Sequence, residues 1–165
     1  MRSLTMAAIA AMCIPCLSAQ ANEAPAVHVA QLTLGSATRM ARGAIAACRK
    51  AGYQVAVTVV DRDGITQVAL RDTLAPPVAL RISRDKAYTS AMFDAKGTAL
   101  EQTRARSPLA QAGEHLVFSG GAVPIEAGGV FYGAIGVSGT PEGRIDERCA
   151  EAGLAVLKGD LEMQP

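Results

Sequence analysis

The stretch GGVFYGAIGVSG, residues 128–139, carries five glycines in twelve residues, three of them spaced as G-x-x-G-x-x-G. Two readings compete. A phosphate-cradling loop would point to a nucleotide enzyme, whereas a strand thinned by glycine would let another element pack close. A dinucleotide fingerprint needs G-x-G-x-x-G in the turn of a β-α-β unit, and a Walker loop needs a following lysine. Here Gly133 and Gly136 lie inside a β-patterned run, the spacing differs, and no lysine follows. The run therefore predicts an extended strand. Positions 133 and 136 are an odd number apart, so their missing side chains are expected on opposite faces of a sheet. Each would leave a spot where a backbone or a flat ligand can approach closely.

Just upstream, GAVPI (121–125) and the linker EAGG (126–129) make this strand the second arm of a hairpin. Pro124 places the first arm at a sheet edge or in a bulge, because proline cannot donate to a ladder. An earlier hairpin reads from YQVAVTVVD (53–61) and ITQVALRD (65–72) around the turn DRDG. Val55, Val57 and Val59 share one face of the first strand, and Thr66, Val68 and Leu70 one face of the second. Asp61 and Asp63 are expected to serve the turn.

Helices fill the remaining chain. Thr33 is a fair N-cap for a run in which Leu34, Ala37, Ala41, Ala44, Ile45 and Cys48 recur at helical spacing, closed by Gly52. A second helix is predicted from about Val78 to Lys96, ended by Gly97. Thr98 with Glu101 reads as the capping box of a short third helix to about Arg106. Residues 107–119 show no clear period. Thr140-Pro141 opens a last helix to about Lys158, with Ile145, Cys149, Ala152 and Val156 on one face. The order α-β-β-α-α-β-β-α predicts an α+β fold. An antiparallel sheet of four to five strands is flanked by helices, profilin- or PAS-like in its two or three layers.

The N-terminus reads differently. MRSLTMAAIAAMCIPCLSAQA has a basic start, an apolar run and a small-residue end, the pattern of a secretory signal peptide over residues 1–21. Residues 22–31 read as a flexible leader, and residues 32–165 as a single domain. The expected location is periplasmic or secreted, with no membrane span left after cleavage. Loss of Arg2 takes the 16 basic side chains to 15, equal to the 15 acidic ones. With no Lys/Arg run and only 4% aromatic residues, nucleic acid is not an expected partner. Cleavage would leave Cys48 and Cys149 as the only cysteines. In an oxidising compartment they favour a disulfide over a metal site, the alternative being two buried thiols.

The segments AACRKAGYQVAVTVVDRDG, VALRD, RDKAYTSAMF, GGAVPIEAGGVFYGAIGVSG and DERCAEAG, in this order and spacing, resemble the GlcG/HbpS family. That family also includes the C-terminal domain of PduO-type proteins. The resemblance spans roughly residues 33–157. It implies an antiparallel sheet flanked by helices, often assembled as a homo-oligomer. It also implies haem binding in some members, and in others a place beside glycolate and diol metabolism. The chain departs from the commoner pattern at LRDTLAP (70–76) and SGGAVPI (119–125), the first in a loop expected to line a pocket.

Haem needs an axial ligand, and the two histidines, His28 in the leader and His115 before the second hairpin, are the candidates. Arg71, Arg84 and Lys86 are candidate partners for propionates or for a small carboxylate. Tyr88, on the same helix as Lys86, is a candidate pocket wall, while Met40 and Met92 are expected in the core. No Ser–His–acid or zinc constellation stands out. The expected function is binding of haem or a related tetrapyrrole by an exported module. The alternative is an enzyme or auxiliary protein acting on a small hydroxy or keto acid, with Arg71 or Lys86 as clamp.

Overall fold

The structure, a computed structural model, describes residues 25–163. The expected signal peptide lies outside the described residues. Helix α1 (Leu34–Lys50) leads into β1 (Ala56–Val60) and β2 (Thr66–Arg71), followed by α2 (Pro77–Phe93). Helix α3 (Gly97–Thr103), a 3-10 turn (Arg104–Arg106) and α4 (Leu109–Ala112) connect to β3 (Ala122–Ala127) and β4 (Val130–Ser138). The chain closes with α5 (Gly143–Ala155) and the short α6 (Lys158–Glu162). The strands form one antiparallel sheet in the order β2-β1-β4-β3. The fold class is that expected, in its three-layer form.

Alternation along the strands divides the core. Val55, Val57, Val59, Val123, Ile135 and Val137 point into a large cluster with Met40, Ala44 and Cys48 of α1 and Cys149 and Ala150 of α5. On the other face, Val60 and Ala134 meet Ala87 and Ala91 of α2. With both faces covered, all five residues of β1 are buried. Thr58 faces α2, where its hydroxyl pairs with that of Ser83 at 2.9 Å.

The glycine-rich run is strand β4, not a phosphate loop. Gly128 and Gly129 form the two-residue turn with φ of 58° and 78°, the left-handed pair that matches strand twist. A Cβ on Gly136 would land on the Ser83 carbonyl oxygen and 2.7 Å from the Ala87 nitrogen, both backbone atoms of α2. Gly136 thus sets how closely α2 lies on the sheet. Gly133 differs from expectation. It sits beside the bulge at Ile125/Glu126, with φ +134°, and a Cβ there would land on the Val60 carbonyl of the next strand. Its missing side chain serves strand-to-strand approach rather than a sheet face. Gly136→Ala is expected to lower stability by about 1–3 kcal/mol through overpacking. An unchanged urea midpoint would show that α2 can shift freely.

Several element ends differ from the periodicity, each time because a tertiary partner intervenes. Helix α2 stops at Phe93, because Asp94 takes the left-handed conformation (φ 45°) and the Ser90 hydroxyl donates to the Ala95 carbonyl at 2.8 Å. Gly97 opens α3 instead of closing α2. The expected capping box does not form. The Thr98 amide and hydroxyl donate to Glu147 at 2.8 and 2.6 Å, and Glu101 accepts from the Gly120 amide at 3.1 Å. Helix α5 starts at Gly143 and buries Asp146, Glu147, Cys149, Ala150 and Gly153, while Val156 is exposed. Thr33 does cap α1, its hydroxyl accepting from the Ser36 amide. Pro124 lies in the edge strand β3.

Candidate functional site

A cleft of about 360 Å³ opens between the β1–β2 turn and α2. Gly64, Ile65 and Thr66 line it from the turn, Arg84, Asp85 and Tyr88 from α2, and His115 from the loop before β3. The turn is rigid for a local reason: the Asp61 carboxylate accepts from the amides of Asp63 (3.0 Å) and Ile65 (2.8 Å). Gly64 has φ +76°, and a Cβ there would stand 2.5 Å from Cδ2 of Tyr88. The absence of a side chain lets the tyrosine ring lie against the turn. Met92, expected in the core, is instead 41% exposed, with Cε close to the same glycine. A position one turn beyond Tyr88 on the cleft side of α2 does not reach the sheet.

Asp85 is the pivot of the site. Its side chain is only 2% exposed. It accepts from Arg84 Nε (3.2 Å) and Nη2 (3.0 Å) and from Arg81 Nη1 (3.4 Å), one turn earlier. His115 Nδ1 lies 3.5 Å from the same carboxylate and 3.4 Å from Arg84 Nη2. In the cleft lining Arg84 balances Asp85, and Arg81, outside the lining, adds a second guanidinium against the same carboxylate, an arrangement that suits an anionic ligand group. His115 itself has φ 70°, rare for a residue with a side chain, and its ring is more than half exposed.

Of the six candidates, Arg84, Tyr88 and His115 are brought together in the cleft. The other three are elsewhere. His28 is exposed in the leader, outside the cleft lining. Arg71 is exposed and donates to the Ala75 carbonyl at 2.6 Å, bracing its own loop. Lys86 is buried and pairs with Asp146 at 3.0 Å, with the Val137 carbonyl 3.4 Å away. Burial pushes the Asp146 carboxyl above its ordinary range, against the pull of Lys86. The LRDTLAP loop does not line the cleft. Asp72 within it clasps Arg49 of α1 through two short bonds, and this holds its carboxyl below the usual range.

Sequence reasoning did not single out Asp85. The signal for Asp85 was an acid preceded by cations at i−4 and i−1 on one helix, but periodicity alone cannot say that such an acid is buried. A larger depression, about 590 Å³, lies between α3 and the start of α5. Its Glu101 is already engaged by the Gly120 amide.

A four-stranded antiparallel sheet with helices on both faces, carrying a shallow cleft lined by Arg84, Asp85 and His115 beside its first hairpin, defines a small α+β module. The chain belongs to the family described as "Haem degrading protein HbpS-like", which matches residues 32–155. The crystal structure of HbpS is 38% identical, with a TM-score of 0.77 over 81% of this chain and 94% of that one. A double mutant of HbpS from Streptomyces reticuli is 34% identical, with a TM-score of 0.77 over 93% and 99%. The PduOC:haem complex shares the fold at 21% identity, with a TM-score of 0.70 over 77% of this chain and 95% of that one. No curated protein matches. No helix among the described residues is long and apolar enough to cross a membrane.

Proposed function

We propose that this chain is an exported module that binds haem or a related tetrapyrrole at the cleft between the first hairpin and α2. One observation carries the reading: an exposed imidazole, a cation and apolar surface converge in one cleft of a chain belonging to this family. Haem asks a site for an iron ligand, cations facing its propionates and apolar surface along the macrocycle. His115, Arg84 and the pair Ile65 and Tyr88 match these demands in turn. The cleft is at the small end of the roughly 300–1,000 Å³ usual for ligand sites, so it fits an edge of a macrocycle and leaves the rest outside.

Within that reading His115 would hold the iron through Nε2, and Arg84 would neutralise a propionate while keeping its bonds to Asp85. Bound haem would supply redox chemistry at iron, the chemistry that haem degradation requires. Export is supported by the N-terminal sequence pattern and by the Cys48–Cys149 disulfide that joins α1 to α5. A homo-oligomer belongs to the same proposal. Ile65 stands 64% exposed at the rim, and a second copy seated there would cover it and could bring the leader His28 to the cleft. The small-carboxylate alternative loses its expected clamps, since Lys86 is committed to Asp146 and Arg71 to its own loop.

Haem titration followed at the Soret band tests the proposal. A saturable shift at micromolar haem is expected, weakened at least about tenfold by His115→Ala, a loss in line with removal of one good ligand interaction. No saturable shift in the unmodified protein would overturn it.

A further inference from the structure

We infer that Asp85 and Thr89, one turn apart on α2, are positioning residues that set the ring and the backbone of His115. The inference rests on the haem reading for its purpose but not for its geometry.

Thr89 is fully buried, and its hydroxyl is used several times over. It accepts from the Val117 amide at 2.8 Å and donates to the Asp85 carbonyl at 2.7 Å, with the His115 carbonyl 3.4 Å away. The loop is thereby tied to α2 immediately after its left-handed residue, chiefly through the Val117 amide. Such a conformation is costly for histidine and persists where neighbours over-determine it. The i, i+4 spacing puts Asp85 and Thr89 on one line of the helix, so the residue that fixes the backbone and the residue that faces the ring share one rigid support.

Asp85 decides which nitrogen is free. Nδ1 of His115 has two neighbours with opposite demands. Toward Asp85 it must carry the proton, which leaves the Nε2 lone pair facing solvent. Toward Arg84 it must accept, and the proton then sits on Nε2, which can no longer ligate a metal. Asp85 takes one N–H each from Nε and Nη2 of Arg84, which leaves only the second Nη2 hydrogen for the ring at 3.4 Å, while the carboxylate presents its full charge to Nδ1 at 3.5 Å, favouring the first arrangement. A carboxylate behind the metal-binding nitrogen is how ligand histidines are commonly oriented.

Two-bond ¹⁵N–¹H correlation of the ring nitrogens, on ligand-free protein at about pH 8, above the ordinary imidazole range, reads this directly. His115 should show the Nδ1–H form, with His28 in the leader as internal reference. Asp85→Asn should move His115, and not His28, toward Nε2–H. An Nε2–H signature in the unmodified protein, or no change on Asp85→Asn, overturns the ring half. For the backbone half, Thr89→Val should speed hydrogen exchange at the Val117 amide about tenfold, as expected for a lost hydrogen bond, while Val59 in the core stays protected. Thr89→Ser should restore it. Equal exchange in the valine variant overturns that half. Both readouts are taken without haem, so failure of the titration above would leave them standing, and their failure would leave haem binding untouched.

Discussion

Removal of the Cys48–Cys149 disulfide is expected to lower the unfolding free energy by about 2–5 kcal/mol, toward the upper end of that range. The bond joins α1 to α5, its cysteines 101 residues apart and both buried in the larger core cluster. A cross-link acts mainly on the unfolded chain, and the loss grows with the loop it closes. Here that loop contains the whole sheet and α2, so the oxidised unfolded chain is denied a large part of its freedom. The native state should change little, because α1 and α5 also pack directly. Gly43 of α1 lies against Gly153 and Val156, and a Cβ on Gly153 would approach the Met40 carbonyl at 2.7 Å. Guanidinium unfolding of the oxidised protein and of the Cys48→Ala/Cys149→Ala protein measures the difference. The midpoint should fall and m should rise, since a chain without the cross-link exposes more surface when unfolded. Coincident curves would show that the two helices need no clamp.

Lys86→Met is expected to cost about 3–5 kcal/mol near neutral pH, the usual penalty for leaving one member of a buried ion pair alone. Lys86 and Asp146 are 6% and 3% exposed, and the pair links α2 to α5 beneath the loop that carries Gly121. A Cβ on Gly121 would lie 2.6 Å from the ammonium nitrogen, so the lysine can sit there only because Gly121 carries no side chain. Without Lys86, Asp146 keeps the Thr140 amide at 3.1 Å but loses its counter-charge. Its carboxyl, already raised by burial, then climbs further. A folded carboxyl with a raised pKa holds a proton that the unfolded chain has released, so stability falls as pH rises through the window between the two values. The penalty of Lys86→Met should therefore be largest above that window and should shrink as pH drops toward about 4, the ordinary carboxyl value. Urea midpoints across that range check this, and a penalty independent of pH would mean that Asp146 is not the group left stranded. Lys86→Met combined with Asp146→Leu should recover most of the loss.

Much of the architecture was legible in local patterns. Alternating valines at 55, 57 and 59 share one face because a strand repeats every two residues, and they do line one core cluster. Thr33 caps α1 and Gly52 closes it, since both act on their own backbone. The glycines of 128–139 read as strand because they sit inside a β-patterned run, with neither the spacing of a dinucleotide loop nor the lysine of a Walker loop. The ends of α2, α3 and α5 were less legible. Thr98 and Glu101 have the spacing of a capping box, yet Glu147, 49 residues further on, takes the Thr98 donors first.

The candidate site divided along the same line. Arg84 and Tyr88 could be placed on one helix from sequence, and Lys86 could not be told from them. A helix turns about 100° per residue, so two positions along, the side chain leaves the cleft wall and faces the interior, where Asp146 waits 60 residues away. By itself the sequence determined the four strands, the main helices, their order and the family, because periodicity, caps and turn residues act over a few neighbours. Only the tertiary structure decided that His115 meets Asp85 in a cleft and that Lys86 is shut inside with Asp146. Those contacts depend on which faces of distant elements meet, and no local pattern encodes that.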